Sequence, residues 1–351
     1  MSDWFKESAN VSKLRVDPQQ ALSDLFLTGH VAVLDAMGRS TGSVDRDGKW
    51  ASGSSEVGSR VRTPLDPTTK QPAEGGTTAT VVALVEGRHL LIAHVGDSDA
   101  VLGGDPLDGS NMVNAEKLTG DHTPCSVAEY VRVRDLGKSG ASLEFVYDCP
   151  DADMLHVFDT PPGGGEPVVS AEAAEKADLR GVGYKSVRAE RPALVVGPAP
   201  VQGAHAPRLA VTRSLGDPFL QTCGLTWKPE VTLLDLSEPV DSLDPLILIV
   251  GSDGLWDLWQ HDEAIEEVIE AGYDLSTPEG VKTATEHLLD VTKSKGEELL
   301  GSSTDDTTCV VISIVREGAA AKAGASQGAG TTAAGKRAGS VSADDDDDDW
   351  A

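Results

Sequence analysis

The sequence predicts an α+β protein in which sheets pack on one another and helices cover them. Three observations carry this. Apolar, β-branched runs recur along the chain, nearly continuous, as in strands buried on both faces. Two of them, TTATVVALVE (77–86) and HLLIAHVG (89–96), are joined only through Gly87-Arg88, as in an antiparallel hairpin. Helical periodicity gathers late in the chain, between strand-like runs.

In chain order, VAVL (31–34) reads as a strand that ends on Asp35, and the hairpin runs follow. LAVTR (209–213), EVTLLDL (230–236), LILIVGS (246–252) and TTCVVISIV (307–315) read as further strands. Residues 262–271 place Ala264, Ile265, Val268 and Ile269 on one helical face, with Gly272 as the stop. A helix over 278–295 opens on Thr277-Pro278, a capping residue and a first-turn proline. Residues 39–76 read as a long polar loop, and 138–207, rich in Gly and Pro, as an insertion. The expected organisation is an N-terminal segment over 1–28 with a candidate edge strand, a domain over 29–316, and a tail over 317–351. That tail, rich in Ala and Gly, cannot bury enough apolar surface to fold.

Composition narrows the function. With 57 acidic against 29 basic residues and a net charge of −28, nucleic acid and anionic membrane surfaces are disfavoured as partners. Six of the negative charges form one run, Asp344 to Asp349, read as a solvated tail with contact to a basic partner as the alternative. The four cysteines form no CxxC pair, which fits a reducing, intracellular location, cytoplasmic with the nucleus as a second compartment. No stretch reaches the length of a membrane span.

Short acidic motifs lie where strands meet turns: Asp35 after VAVL, Asp121 in GDH, Asp253 and Asp257 in GSDGLWD, and Asp305 and Asp306 in STDDTT. Gathered carboxylates repel and lose hydration unless a cation neutralises them. Oxygen-only donors favour Mg²⁺, Mn²⁺ or Ca²⁺ over zinc. Two such ions can lower the pKa of a shared water and clamp phosphate oxygens, so the motifs are compatible with metal-assisted hydrolysis of a phosphate ester. Asp-Gly and Asp-Asp are also ordinary turn formers, and spacing alone does not show that these groups converge.

Read in order, GGTTATVVAL (75–84), LLIAHVGDSDAVL (90–102), LTGDHTP (118–124), LAVTRSLGD (209–217), KPEV (228–231), GSDGLWDLW (251–259) and SSTDDTTCVVI (302–312) resemble the motifs of the metal-dependent, type 2C protein serine/threonine phosphatases. The resemblance implies a central antiparallel β-sandwich flanked by helices, with two Mg²⁺ or Mn²⁺ ions at one end and a weaker third. It implies Asp35, Asp253 and Asp305 as metal ligands that act through a metal-bound water. The Ala36 carbonyl would join them, with Asp121 and Asp257 at the third ion. Phosphoprotein substrates and a monomeric chain follow. Arg213 and Asp217 match a motif read as structural, and His94, His122, Trp256 and Trp259 read as structural or core residues.

The chain also departs from the family pattern. Where the family has DGHGG, this sequence reads Asp35-Ala36-Met37-Gly38-Arg39, and a thioether cannot donate the proton that the family's histidine is thought to give. The nearest equivalent of the RxxMED segment is Arg15-Val16-Asp17-Pro18-Gln19-Gln20, with glutamines in place of the acids. Arg15, or Arg39 by its position, is the candidate phosphate clamp. The arginine of GDSR is Asp99 here, and residues 39–76 lack the family's helices, so some of the outer helices are expected to be missing. Two functions are weighed: a slow metal-dependent phosphatase, favoured by the carboxylate set, and a pseudophosphatase that binds or scaffolds.

Overall fold

The computed structural model describes residues 1, 3–36, 75–108, 113–136, 143–149, 154–160, 165–180, 182–199, 205–301 and 304–315. Met1–Ile314 form one compact unit. The long loop and the C-terminal tail read from the sequence fall almost wholly outside the described residues.

Strand His89–Val95 shows how the layers arise. Its side chains alternate between two apolar faces. Leu90 and Ile92 enter one core with Ala100, Leu102, Leu246 and Leu248, while Leu91, Ala93 and Val95 enter another with Leu22, Leu25 and Phe26. The first core lies between two antiparallel sheets. One is ordered Glu230–Asp235, His89–Val95, Ala79–Val85. The other runs Cys309–Ile314, Leu243–Gly251, Ala100–Pro106, Asn114–Lys117. Outside the second sheet, Ile247, Ile249 and Val311 pack on Ala264, Ile265 and Leu288 of helices His261–Glu270 and Pro278–Leu299. The architecture is helix, sheet, sheet, helix, the α+β class expected.

The two late helices end and begin as read. Gly272, at φ +75°, follows the first of them. Thr277 accepts a hydrogen bond from Gly280 N at the start of the second.

The N-terminal reading needs correction. VAVL is not a strand: residues 31–34 lie in helix Pro18–Ala36. Asp17 caps that helix, its carboxylate accepting from Gln20 N at 3.1 Å, and Pro18 occupies the first turn. Ala21, Leu22, Leu25, Phe26, His30 and Leu34 are buried along it, a stripe of helical period in which Val33 is half-buried. A four-residue apolar run cannot distinguish strand from helix, whereas the window 18–36 can. The described residues of 1–28 likewise hold no edge strand. They form a short 3-10 helix, helix Ser8–Val16 and the start of the long helix, and Trp4 and Leu14 are buried in the outer core. LAVTR is also mostly irregular: Leu209 closes the two-residue strand Arg208–Leu209, Arg213 makes an isolated bridge to Thr226, and Thr212 N donates to His122 O.

The described parts of the insertion are ordered. Ala193–Val196 sits between Arg208–Leu209 and Glu144–Tyr147 in a small sheet. Helix Ala171–Leu179 is capped by Ser170. Phe145, Tyr147, Val157, Phe158, Ala177 and Val195 form a separate core with Val133 of helix Val127–Leu136.

Candidate functional site

Three turns meet at one end of the sandwich. Strand Leu243–Gly251 runs into Ser252, and Asp253 opens the short helix Asp253–Trp256. Ser252 N donates to Thr308 O at 3.0 Å, Thr308 N donates to Ser252 Oγ at 3.1 Å, and Thr307 Oγ1 donates to Gly254 O at 3.1 Å. A Cβ on Gly254 would stand 2.4 Å from Asp306 O. Gly254→Ala is therefore expected to push the STDDTT turn away, at a cost of about 1–3 kcal/mol typical of overpacking, measured as a lower urea midpoint.

The GDSD turn joins them. Gly96 has φ +96°, and a Cβ there would lie 2.2 Å from Thr78 Cγ2. Gly251 N and Trp256 Nε1 both donate to Asp99 O, at 2.9 and 3.2 Å. The Asp99 side chain, in place of the family's arginine, is buried and held by Lys117 at 2.8 Å and Thr119 Oγ1 at 2.7 Å.

Asp97, Asp253 and Asp257 interact electrostatically at this junction. Burial, reinforced by Asp253, pushes the Asp97 carboxyl up to about 6. Burial also pushes Asp257 up to about 6; Lys185 opposes that rise and Asp253 adds to it. Asp257 Oδ1 is buried without a hydrogen bond and lies 3.7 Å from Lys185 Nζ. Burial would lower the Lys185 ammonium, but Asp257, Asp97, Glu190 and Asp253 together hold it above its usual value.

The other expected residues divide. Asp305 is exposed on the adjoining turn, its Oδ1 accepting from Asp306 N at 2.8 Å. Asp121 is exposed and accepts from Thr123 N at 3.0 Å. It lies close enough to raise the Cys125 thiol, which burial has already pushed up, to about 11. Asp35 and Ala36 occupy the last turn of helix Pro18–Ala36, so no sheet strand delivers them, and the geometric reason for aligning them with DGHGG is lost. The Asp35 side chain, Met37 and Arg39 lie outside what is described.

Arg15 is misplaced for a phosphate clamp. It pairs at 3.7 Å with Glu86, beside the turn at the start of strand His89–Val95, whereas Asp97 follows the end of that strand. Seven residues of strand put about 20 Å between the two ends.

The motif residues read as structural take structural places. Glu129, buried, accepts from Arg132 Nη2 at 2.7 Å, Arg213 Nη2 at 2.6 Å and Thr212 Oγ1 at 2.8 Å. Asp217 stands at φ 44° and accepts from Ser214 Oγ at 2.5 Å. The rings of His94 and His122 stack at 4.2 Å, and burial lowers both, His94 to about 3.

The sequence reading missed two site residues. Asp97 lies in the GDSD motif, two residues before the Asp99 that stands in the arginine position. Lys185 lies in the insertion, where no motif surrounds it.

Does this donor set suit a divalent cation? The oxygens of Asp253 and its neighbours are hard donors, and Asp257 offers a buried oxygen that no hydrogen bond satisfies. Among the described residues, no three acidic, histidine or cysteine side chains stand together closely enough to hold a metal. The arrangement fits a Mg²⁺-like ion held by one or two carboxylates and water, not a closed protein cage.

The family described as Protein phosphatase 2C matches residues 13–142 and 193–296, more than half of the chain. The chain belongs to that family of protein serine/threonine phosphatases. It is 29% identical over 196 residues to "Probable protein phosphatase 2C 12" of Oryza sativa subsp. japonica, covering 56% of this chain and 36% of that one. It is 28% identical over 209 residues to "Probable protein phosphatase 2C 35" of Arabidopsis thaliana, covering 60% and 49%. The chain thus spans at most about half the length of these two relatives. A serine-threonine phosphatase 2C from Toxoplasma gondii superposes with a TM-score of 0.47 at 16% identity, over 87% of this chain and 70% of that one. Residues 143–192, most of the insertion, fall in the gap of the family match. No helix among the described residues is long and apolar enough to cross a membrane.

Proposed function

We propose that this chain is a metal-dependent protein serine/threonine phosphatase domain of low turnover, acting on phosphoserine and phosphothreonine in proteins. The observation that carries the reading is the electrostatic coupling of the half-buried Asp97 and Asp257 to Asp253 at the junction of three family motifs. Asp253 with Asp97 or Asp257 would hold Mg²⁺ or Mn²⁺, with water completing the coordination. The bound ion would supply an acidified water and neutralise phosphate oxygens. The protein's own part is to fix the carboxylates on short turns locked by backbone hydrogen bonds, and to keep them partly out of water.

Turnover is expected to be low because neither Arg15 nor a histidine at position 37 is available as phosphate clamp or acid. Loss of general acid catalysis alone costs about 10²–10⁴-fold in rate.

Hydrolysis of a phosphothreonine peptide with Mn²⁺, set against EDTA and an Asp253→Asn variant, tests the reading. Metal-dependent release of phosphate, lost in the variant, is the expected result. A second reading, a pseudophosphatase that binds partners without hydrolysis, is favoured by the helical setting of Asp35 and by the ammonium of Lys185 among the carboxylates. Folded protein with no turnover above the Asp253→Asn background would decide for it.

A further inference from the structure

We propose that Lys185 is a built-in counter-cation of the carboxylate cluster, and that a divalent ion enters only by displacing it. The inference rests on the metal-dependent reading above and concerns what keeps the site closed before metal arrives.

Lys185 comes from the part of the chain that the family match leaves out. Its loop is fixed over the site by contacts made with the site's own elements. Val187 N donates to Asp257 O at 2.9 Å, and Gln260 Nε2 donates to Val187 O at 3.0 Å. Arg188 Nη1 donates to the carbonyls of Trp256 and Trp259, the latter at 2.9 Å. These bonds hold the loop backbone in place and leave the lysine side chain to find its own partner. It finds Asp257, at 3.7 Å.

That separation is an ion pair without a hydrogen bond. Charge holds the ammonium there, on a flexible four-carbon stem, and the side chain keeps 27% of its surface exposed, so a route to solvent exists. An ammonium and a divalent cation that draw on the same carboxylates repel each other. Occupancy by one therefore opposes occupancy by the other, and the coupling is reciprocal.

The test is Mn²⁺ binding, followed by the loss of the free-ion electron paramagnetic resonance signal, in the full chain and its Lys185→Met and Lys185→Arg variants. The methionine variant is expected to bind Mn²⁺ about tenfold more tightly, within the usual range of such couplings, and the arginine variant close to wild type. Equal or weaker binding by the methionine variant would overturn the inference while leaving the metal-dependent reading intact. If none of the three proteins binds Mn²⁺, the metal-dependent reading falls, and this inference with it.

A second measurement needs no variant. Acetylation of Lys185 by a water-soluble acylating reagent, read by mass spectrometry, is expected to speed up when Mn²⁺ is added to the wild-type chain. Lys293, exposed on the long helix, serves as the control and should not change. An unchanged Lys185 rate in Mn²⁺-loaded protein counts against displacement.

Discussion

Glu129→Gln is expected to destabilise the protein by about 3 kcal/mol, the lower end of what breaking a buried ion pair costs. Glu129 is buried with the guanidinium groups of Arg132 and Arg213 against it, themselves mostly shielded from water. Glutamine keeps the size of the side chain but takes the counter-charge from Arg132 and leaves Arg213 only Glu230, at 3.9 Å. Urea unfolding would show the loss as a lower midpoint at unchanged slope. The same group sets an acid limit. Burial alone would raise its pKa, but hydrogen bonds from Arg213 and Arg132 outweigh burial and hold it at about 2, below its ordinary 4.5. A depressed folded pKa means that this stabilisation is complete above pH 4.5 and fades as the pH falls toward 2. The glutamine variant should lack that part of the acid dependence. If wild type and variant lose stability in parallel between those pH values, the charge on Glu129 is not what holds this corner.

Phe26→Ala is expected to cost about 3–5 kcal/mol, the range for truncating a core aromatic. Phe26 is fully buried and joins Leu22 and Leu25 against Leu91 and Ala93 of the first sheet. The result also bears on the N-terminal segment. As an edge appendage, 1–28 would tolerate the truncation with little effect. As the outer layer of the sandwich, it transmits the cavity to the whole cooperative unit. A thermal midpoint within about a degree of wild type, where 1 kcal/mol is worth several degrees, would contradict the packing described.

The fold was legible where periodicity was long and failed where it was short. The hairpin and the strand ending in Gly251 were marked by β-branched runs and the turn residues that bound them, and the two late helices by one-sided apolar stripes with caps. VAVL offered four residues, too few to separate periods of 2 and 3.6, and the aspartate after it invited a strand-end reading. Asp17-Pro18 and the stripe through Leu22, Phe26 and His30 carry the helical signal, which only the longer window 18–36 contains. The candidate carboxylates were legible as motifs, because turn chemistry and order along the chain mark GSDGLWD and STDDTT; that Asp97 and Asp257 couple to Asp253 was not. Lys185 was not. A cation that reaches a site from a distant loop leaves no local signature, since its partner lies 72 positions away in sequence and only tertiary packing joins them.

The loop that carries Lys185 belongs to two neighbourhoods at once. One end leaves the smaller core at Val182, and the other is pinned at Arg191 by Asp178 of helix Ala171–Leu179. Its tip is hydrogen-bonded to carbonyls around the short helix that Asp253 begins. Those acceptors, Trp256 O and Trp259 O, are in position only while that helical turn is formed, and Arg188 in turn covers its end. Local opening of either piece strips partners from the other. Amide exchange at 185–188 and at 253–257 should therefore slow and quicken as one unit, so that the turn at Asp253 and its covering strap share a single local melting event.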